Sequence, residues 1–112
     1  MTDCRCMTPP FNYRDFEEAP VGCDETNGRY GDVAIKTCRA CGSKWLTYFV
    51  EYEGFSRSTR WYRGLVSEDV AASVTPETAV TVLNGLDWHF AGGSYFGSSG
   101  AKGSGPVQVD MF

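Results

Sequence analysis

The chain has 112 residues and a formal charge of −4, with 42% hydrophobic and 14% aromatic content, which fits a single domain and excludes whole-chain disorder. No apolar run reaches the roughly 18 residues of a membrane-crossing helix, so no membrane role is expected. An acidic pI of 4.8 disfavours general nucleic-acid binding, because phosphates repel such a surface.

In chain order, residues 1–32 predict an irregular lead-in, because Pro9-Pro10, Pro20, Asn27-Gly28 and Gly31 break any regular period. The opening Met1-Thr2-Asp3-Cys4-Arg5-Cys6 is polar and lacks a signal-peptide core, which predicts a cytoplasmic protein. In a reducing compartment five cysteines are expected to be metal ligands and not disulfides. Cys4, Cys6 and Cys23 could pin the lead-in. From Asp32 the pattern turns strand-like: Val33-Ala34-Ile35 leads into Cys38-Arg39-Ala40-Cys41. Lys44 to Glu53 is the best strand, with Leu46, Tyr48, Val50 and Tyr52 on one face and Trp45, Thr47, Phe49, Glu51 and Glu53 on the other. A turn at Gly54–Arg57 and a returning strand over Ser58–Val66 would lay Trp61 and Tyr62 beside it.

The main helix is predicted over Pro76 to Asn84, with Thr75 as N-cap, Pro76 in the first turn, and Ala79, Val80, Val82 and Leu83 as its buried face. Glu68-Asp69 reads as solvated loop charge. Residues 92–105 predict a glycine-rich loop carrying Tyr95 and Phe96, and Val107–Met111 a short closing strand. The expected fold class is α+β over 1–112: a small antiparallel β-sheet, one main helix, and a four-cysteine zinc knuckle pinning the irregular N-terminal segment, with the core in 33–112.

Cys38-x-x-Cys41 followed by Gly42 carries the strongest chemical signal. Two thiolates so spaced at a strand turn can face one tetrahedral ion, and the glycine eases the backbone around it. In this feature the chain resembles zinc-ribbon proteins. It departs from them in lacking a second CxxC, so Cys4 and Cys6 become the complement, with Cys23 as the alternative ligand. Iron fits the same four thiolates, which leaves the metal open between zinc and iron. A closed four-thiolate site has no open position and catalyses nothing. His89 between Trp88 and Phe90 reads as structural, and no carboxylate pair suggests acid–base work. A thiol redox pair is less favoured, since such pairs open a helix and here a strand follows.

The expected function is therefore a non-enzymatic, zinc-stabilised protein-binding module. An immunity or inhibitor-type protein against a bacterial toxin is one form that fits its size and acidity. Trp88, Tyr95, Phe96, Glu68 and Asp69 are the candidate partner contacts. The alternative is nucleic-acid binding through the basic 36–63 segment, using Arg39, Lys44, Arg57, Arg60 and Arg63 with Trp45 and Trp61. Stacking of those arginines on aromatics within the fold accounts for them more economically.

Overall fold

A computed structural model describes residues 4–26, 30–51, 58–94 and 96–107. Among them a six-stranded antiparallel sheet runs in sequence order: β1 (Phe16–Asp24), β2 (Gly31–Cys38), β3 (Lys44–Val50), β4 (Arg60–Val66), β5 (His89–Gly93) and β6 (Ser98–Gly103). Two short helices, α1 (Glu68–Ser73) and α2 (Ala79–Gly85), fill the β4–β5 connection. The class is α+β with sheet predominating. No described helix is long and apolar enough to cross a membrane.

The centre of the sheet follows the alternation in the sequence. Leu46, Tyr48 and Val50 are fully buried on one face with Val33, Ile35 and Tyr62, and the helices cover them through Ala79 and Leu83. Trp45 lies on the other face with Phe16, Cys38 and Phe90, beneath Cys6, Met7 and Phe11 of the N-terminal segment. Burying each large apolar side chain contributes about 1.5–3 kcal/mol, so both faces count toward the fold. The pairing of β3 with β4 sets Tyr48 opposite Tyr62 and Phe49 opposite Trp61.

Four expectations are corrected. Residues 1–32 are not irregular throughout, because Phe16–Asp24 pairs along β2 from Phe16↔Cys38 to Asp24↔Gly31, with an irregularity between Pro20 and Gly22. The 92–105 stretch is not simply a loop, because β6 pairs with β5 from His89↔Gly103 to Gly93↔Ser98. The described residues hold two α-helices instead of one: Ser67 Oγ accepts from the Val70 amide at 3.2 Å and starts α1, so Glu68 and Asp69 sit in its first turn, where the helix dipole favours acids. The predicted main helix begins later than expected. Thr75 Oγ1 accepts from the Thr78 amide at 3.3 Å and closes a preceding turn, while the helix itself starts at Ala79. The predicted turn at 54–57 lies outside the described residues, as does the closing strand beyond Val107. Val107 itself is buried, and its amide donates to Asn84 Oδ1 at 2.8 Å.

Candidate metal centre

The β2–β3 connection builds half of the site. Cys38 ends β2, the Gly42 amide donates back to the Cys38 carbonyl at 2.9 Å, and the Cys38 amide donates to Ser43 O at 2.9 Å. Gly42 takes φ of +78°, a left-handed conformation that glycine adopts without steric cost. This tight turn presents Cys38 and Cys41 together. The other half comes from a single turn of 3-10 helix over Arg5–Met7, closed by the Met7 amide donating to the Cys4 carbonyl at 2.9 Å. The Arg39 amide donates to the Asp15 carbonyl at 2.9 Å, tying the far end of the N-terminal segment to the same turn.

These two pieces bring Cys4, Cys6, Cys38 and Cys41 together, with all four sulfurs within 4.8 Å of one another. Cys4 Sγ lies 3.5 Å from Cys38 Sγ, and Cys6 Sγ lies 3.5 Å from Cys41 Sγ. Four thiolates bound tetrahedrally at about 2.3 Å would have sulfurs about 3.8 Å apart, so the cluster has the dimensions of a four-sulfur metal site. All five cysteines are free thiols. Cys23 is exposed on β1 and is not a member of the cluster.

The four thiols differ electrostatically. Cys41 is exposed, and hydrogen bonding from Ser43 (Oγ at 3.1 Å, then the amide) lowers its pKa to about 6. Cys6 is pushed far upward, first by burial and then by the neighbouring Cys41 and Cys4. At Cys4 the backbone of Cys6 favours the thiolate, but Cys38, burial and Cys41 together outweigh it and raise the pKa. The buried Trp45 Nε1 has no geometric hydrogen-bond partner and favours a thiolate at Cys6. A cation among these sulfurs would reverse the upward shifts, since metal coordination deprotonates thiols.

No family model, curated protein or solved structure matches this chain. Its chemistry is read from its own residues.

Among the described candidate partner contacts, Trp88 and Phe96 pack against different cores. Trp88 is half-buried, edge-on to Trp45 at 6.1 Å and Phe90 at 5.5 Å, with the Lys102 ammonium 4.2 Å from its ring centre. Phe96 is exposed and stands edge-on to Tyr62, which belongs to the opposite core, at 6.1 Å. Glu68 and Asp69 are exposed on α1. Tyr95 lies outside the described residues. His89 is buried edge-on to Tyr62 at 5.8 Å, and desolvation lowers its pKa, so it is neutral at neutral pH.

Of the predicted nucleic-acid contacts, Arg57 is outside the described residues. Trp45 is fully enclosed, and Arg60 is buried. Arg39 is exposed and 3.6 Å from Glu17, and Lys44 Nζ donates to Thr37 Oγ1 at 3.0 Å. Arg63 does stack within the fold, its guanidinium carbon 4.1 Å from the Phe11 ring centre and 4.8 Å from that of Phe16. Two contributors escaped sequence reasoning. Ser43 could have been suspected as a hydroxyl two residues after a ligand. Phe11 gave no signal, because only the folded N-terminal segment brings it to Arg63.

Proposed function

We propose that the chain is a non-enzymatic binding module whose N-terminal segment is stapled to its sheet by one structural zinc ion on Cys4, Cys6, Cys38 and Cys41. The observation that carries this reading is the convergence of four sulfurs from two distant segments. Zinc is favoured over iron because a closed tetrahedral thiolate site with no accessory chemistry is its ordinary structural use. Such a site folds the protein and leaves no open coordination position for substrate. Binding is then the role left to the surface, and a reducing, cytoplasmic setting agrees with five free thiols.

The partner we propose is another protein, with toxin neutralisation as one form of that role. The exposed acids Glu68 and Asp69 and the exposed Phe96 remain the contacts to test, through loss of partner capture on Glu68→Lys or Phe96→Ala. Trp88 is a weaker candidate, given its packing against Trp45 and Phe90. Native mass spectrometry of protein prepared without added metal tests the centre: one zinc per chain is expected, and a metal-free chain or an iron-loaded one would refute the zinc reading. Cys4→Ser should abolish metal uptake, whereas Cys23→Ser should retain it.

Nucleic-acid binding stands second, favoured by Lys36, Trp61 and Arg63 sharing one face of the sheet. Lys36 and Arg39 each face a glutamate there, at 3.8 and 3.6 Å, which weakens the field that phosphates would meet. Retention on single-stranded DNA that falls steeply with salt would promote this reading.

A further inference from the structure

Arg63 is in an unusual position for a charged side chain. It is 94% buried by its residual exposure of 6%, and its Nε and Nη1 are buried without hydrogen-bond partners. Among the described residues it makes no ion pair. Aromatic rings hold it instead: Phe11 and Phe16 most closely, then Trp45 and Trp61, each with the guanidinium carbon 6.0 Å from its ring centre. Such stacking is attractive, but it satisfies no N–H donor. A buried donor left unsatisfied costs more when the group is charged.

This side chain lines a pocket of about 230 Å³ together with Pro10, Phe11, Lys36, Trp61 and Ser99. Drug-sized ligands occupy roughly 300–1,000 Å³, so this pocket suits one head group and a short stem. Its two cations are not equivalent. Lys36 Nζ already lies 3.8 Å from Glu18, whereas no carboxylate among the described residues pairs with Arg63. Burial lowers the pKa of the Arg63 guanidinium to about 10, and the neighbouring Cys6 acts the other way by favouring its charged form. The pocket therefore offers one cation that no described carboxylate pairs, beside the rings of Phe11 and Trp61.

We propose that this pocket is a carboxylate-binding site in which Arg63 receives the oxyanion and the rings of Phe11 and Trp61 flank its stem. One guanidinium matches a singly charged carboxylate better than a doubly charged phosphate monoester, whose second charge would meet only the glutamate-paired Lys36. The carboxylate can come from a free organic acid or from an aspartate or glutamate side chain of a partner protein. The inference is independent of which metal occupies the cysteine site.

The test is titration of the full metal-loaded chain with benzoate, with inorganic phosphate, and with a short neutral peptide carrying one aspartate, read from the indole N–H resonance of Trp61. Saturable shifts with benzoate or the peptide, at lower concentration than with phosphate, are expected. The tighter of the two identifies the source as a free acid or a protein side chain. Arg63→Gln should weaken binding about tenfold or more, from loss of a charge-assisted bond, and Lys36→Gln by less. Should Arg63→Gln fail to fold, Arg63→Lys decides, because it keeps the charge on a shorter, round ammonium that cannot place a nitrogen where the guanidinium does: about tenfold weaker binding is expected, and unchanged binding overturns the proposal. Phosphate binding as tightly as the carboxylates would also overturn it. So would the absence of any saturable shift, which would leave Arg63 serving only as the cationic neighbour of the thiolates.

Discussion

At the scale of single residues, the cysteine cluster is chemically graded. Cys41 is exposed and its pKa is lowered to about 6 by the Ser43 hydroxyl and amide, so in metal-free protein at pH 7 it is mostly thiolate. Cys6 is buried and strongly raised, and Cys23, although exposed, is raised by desolvation and by Asp32, Glu25 and Asp24. The two large shifts oppose each other in stability. The depressed Cys41 stabilises the metal-free fold at high pH, and that contribution is lost as pH falls through about 6. The raised Cys6 stabilises below its unfolded value and is lost as pH rises. Alkylation therefore reads the gradient better than melting does. Iodoacetamide at pH 7 should modify Cys41 first and Cys6 last, as seen by peptide mass mapping, and Ser43→Ala should slow Cys41 several-fold. With zinc bound, Cys23 should become the fastest-reacting thiol. Cys38 and Cys41 were legible because their spacing is a local constraint. The part played by Ser43 and Phe11 was not, because it depends on how separate segments meet.

At the scale of elements, legibility followed burial. β3 alternates cleanly because helices cover one of its faces and the N-terminal segment covers part of the other, so every second residue is committed to one core. β1 and β6 lie at the outside of the sheet, and most of their side chains are exposed. Glu17, Glu18, Pro20 and Gly22 could therefore occupy a strand that residue preference argues against, since backbone pairing with β2 decides the matter. The helical region is readable at Ala79 and Leu83, both fully buried, but the acidic start of α1 has the composition of a loop and is fixed as helix by the Ser67 cap. Gly31 shows how tightly the sheet is fitted. A Cβ there would overlap the ring of Tyr48, whose hydroxyl donates to the buried Asp24 Oδ2 at 2.7 Å. Gly31→Ala should cost about 1–3 kcal/mol by overpacking, measured by urea denaturation. Ser67→Ala, which only removes a cap, should cost about 1 kcal/mol.

At the scale of the whole molecule, the cluster joins positions 34 and 35 residues apart, Cys4 to Cys38 and Cys6 to Cys41. A cross-link closing a loop of that length removes on the order of 4 kcal/mol of chain entropy from the unfolded state, so a bound metal would matter to a domain of this size. What the metal restrains is narrower than the full lead-in, because β1 is held by its own ladder to β2. A strong chelator should lower the melting temperature and open residues 4–15 to proteolysis, while peptides from β2 to β4 stay protected. Cleavage spread evenly along the chain would contradict that picture. The borders of the sheet carry a further consequence, for behaviour at high concentration. Among the described residues, the sheet of six strands has two borders whose backbone groups another molecule could align with. On one border, Pro20 has no N–H to offer, the adjoining irregularity breaks the repeat, and Glu17 and Glu18 add like charge. On the other, Ser98 to Gly103 has no large apolar side chain to bury against a newcomer. Such borders discourage strand addition, and the chain should stay free of fibrils where a flatter, greasier sheet would assemble. Pro20→Val, which restores the missing N–H and favours an extended backbone, should raise light scattering during prolonged incubation, marking a single imino acid as the guard against self-templating.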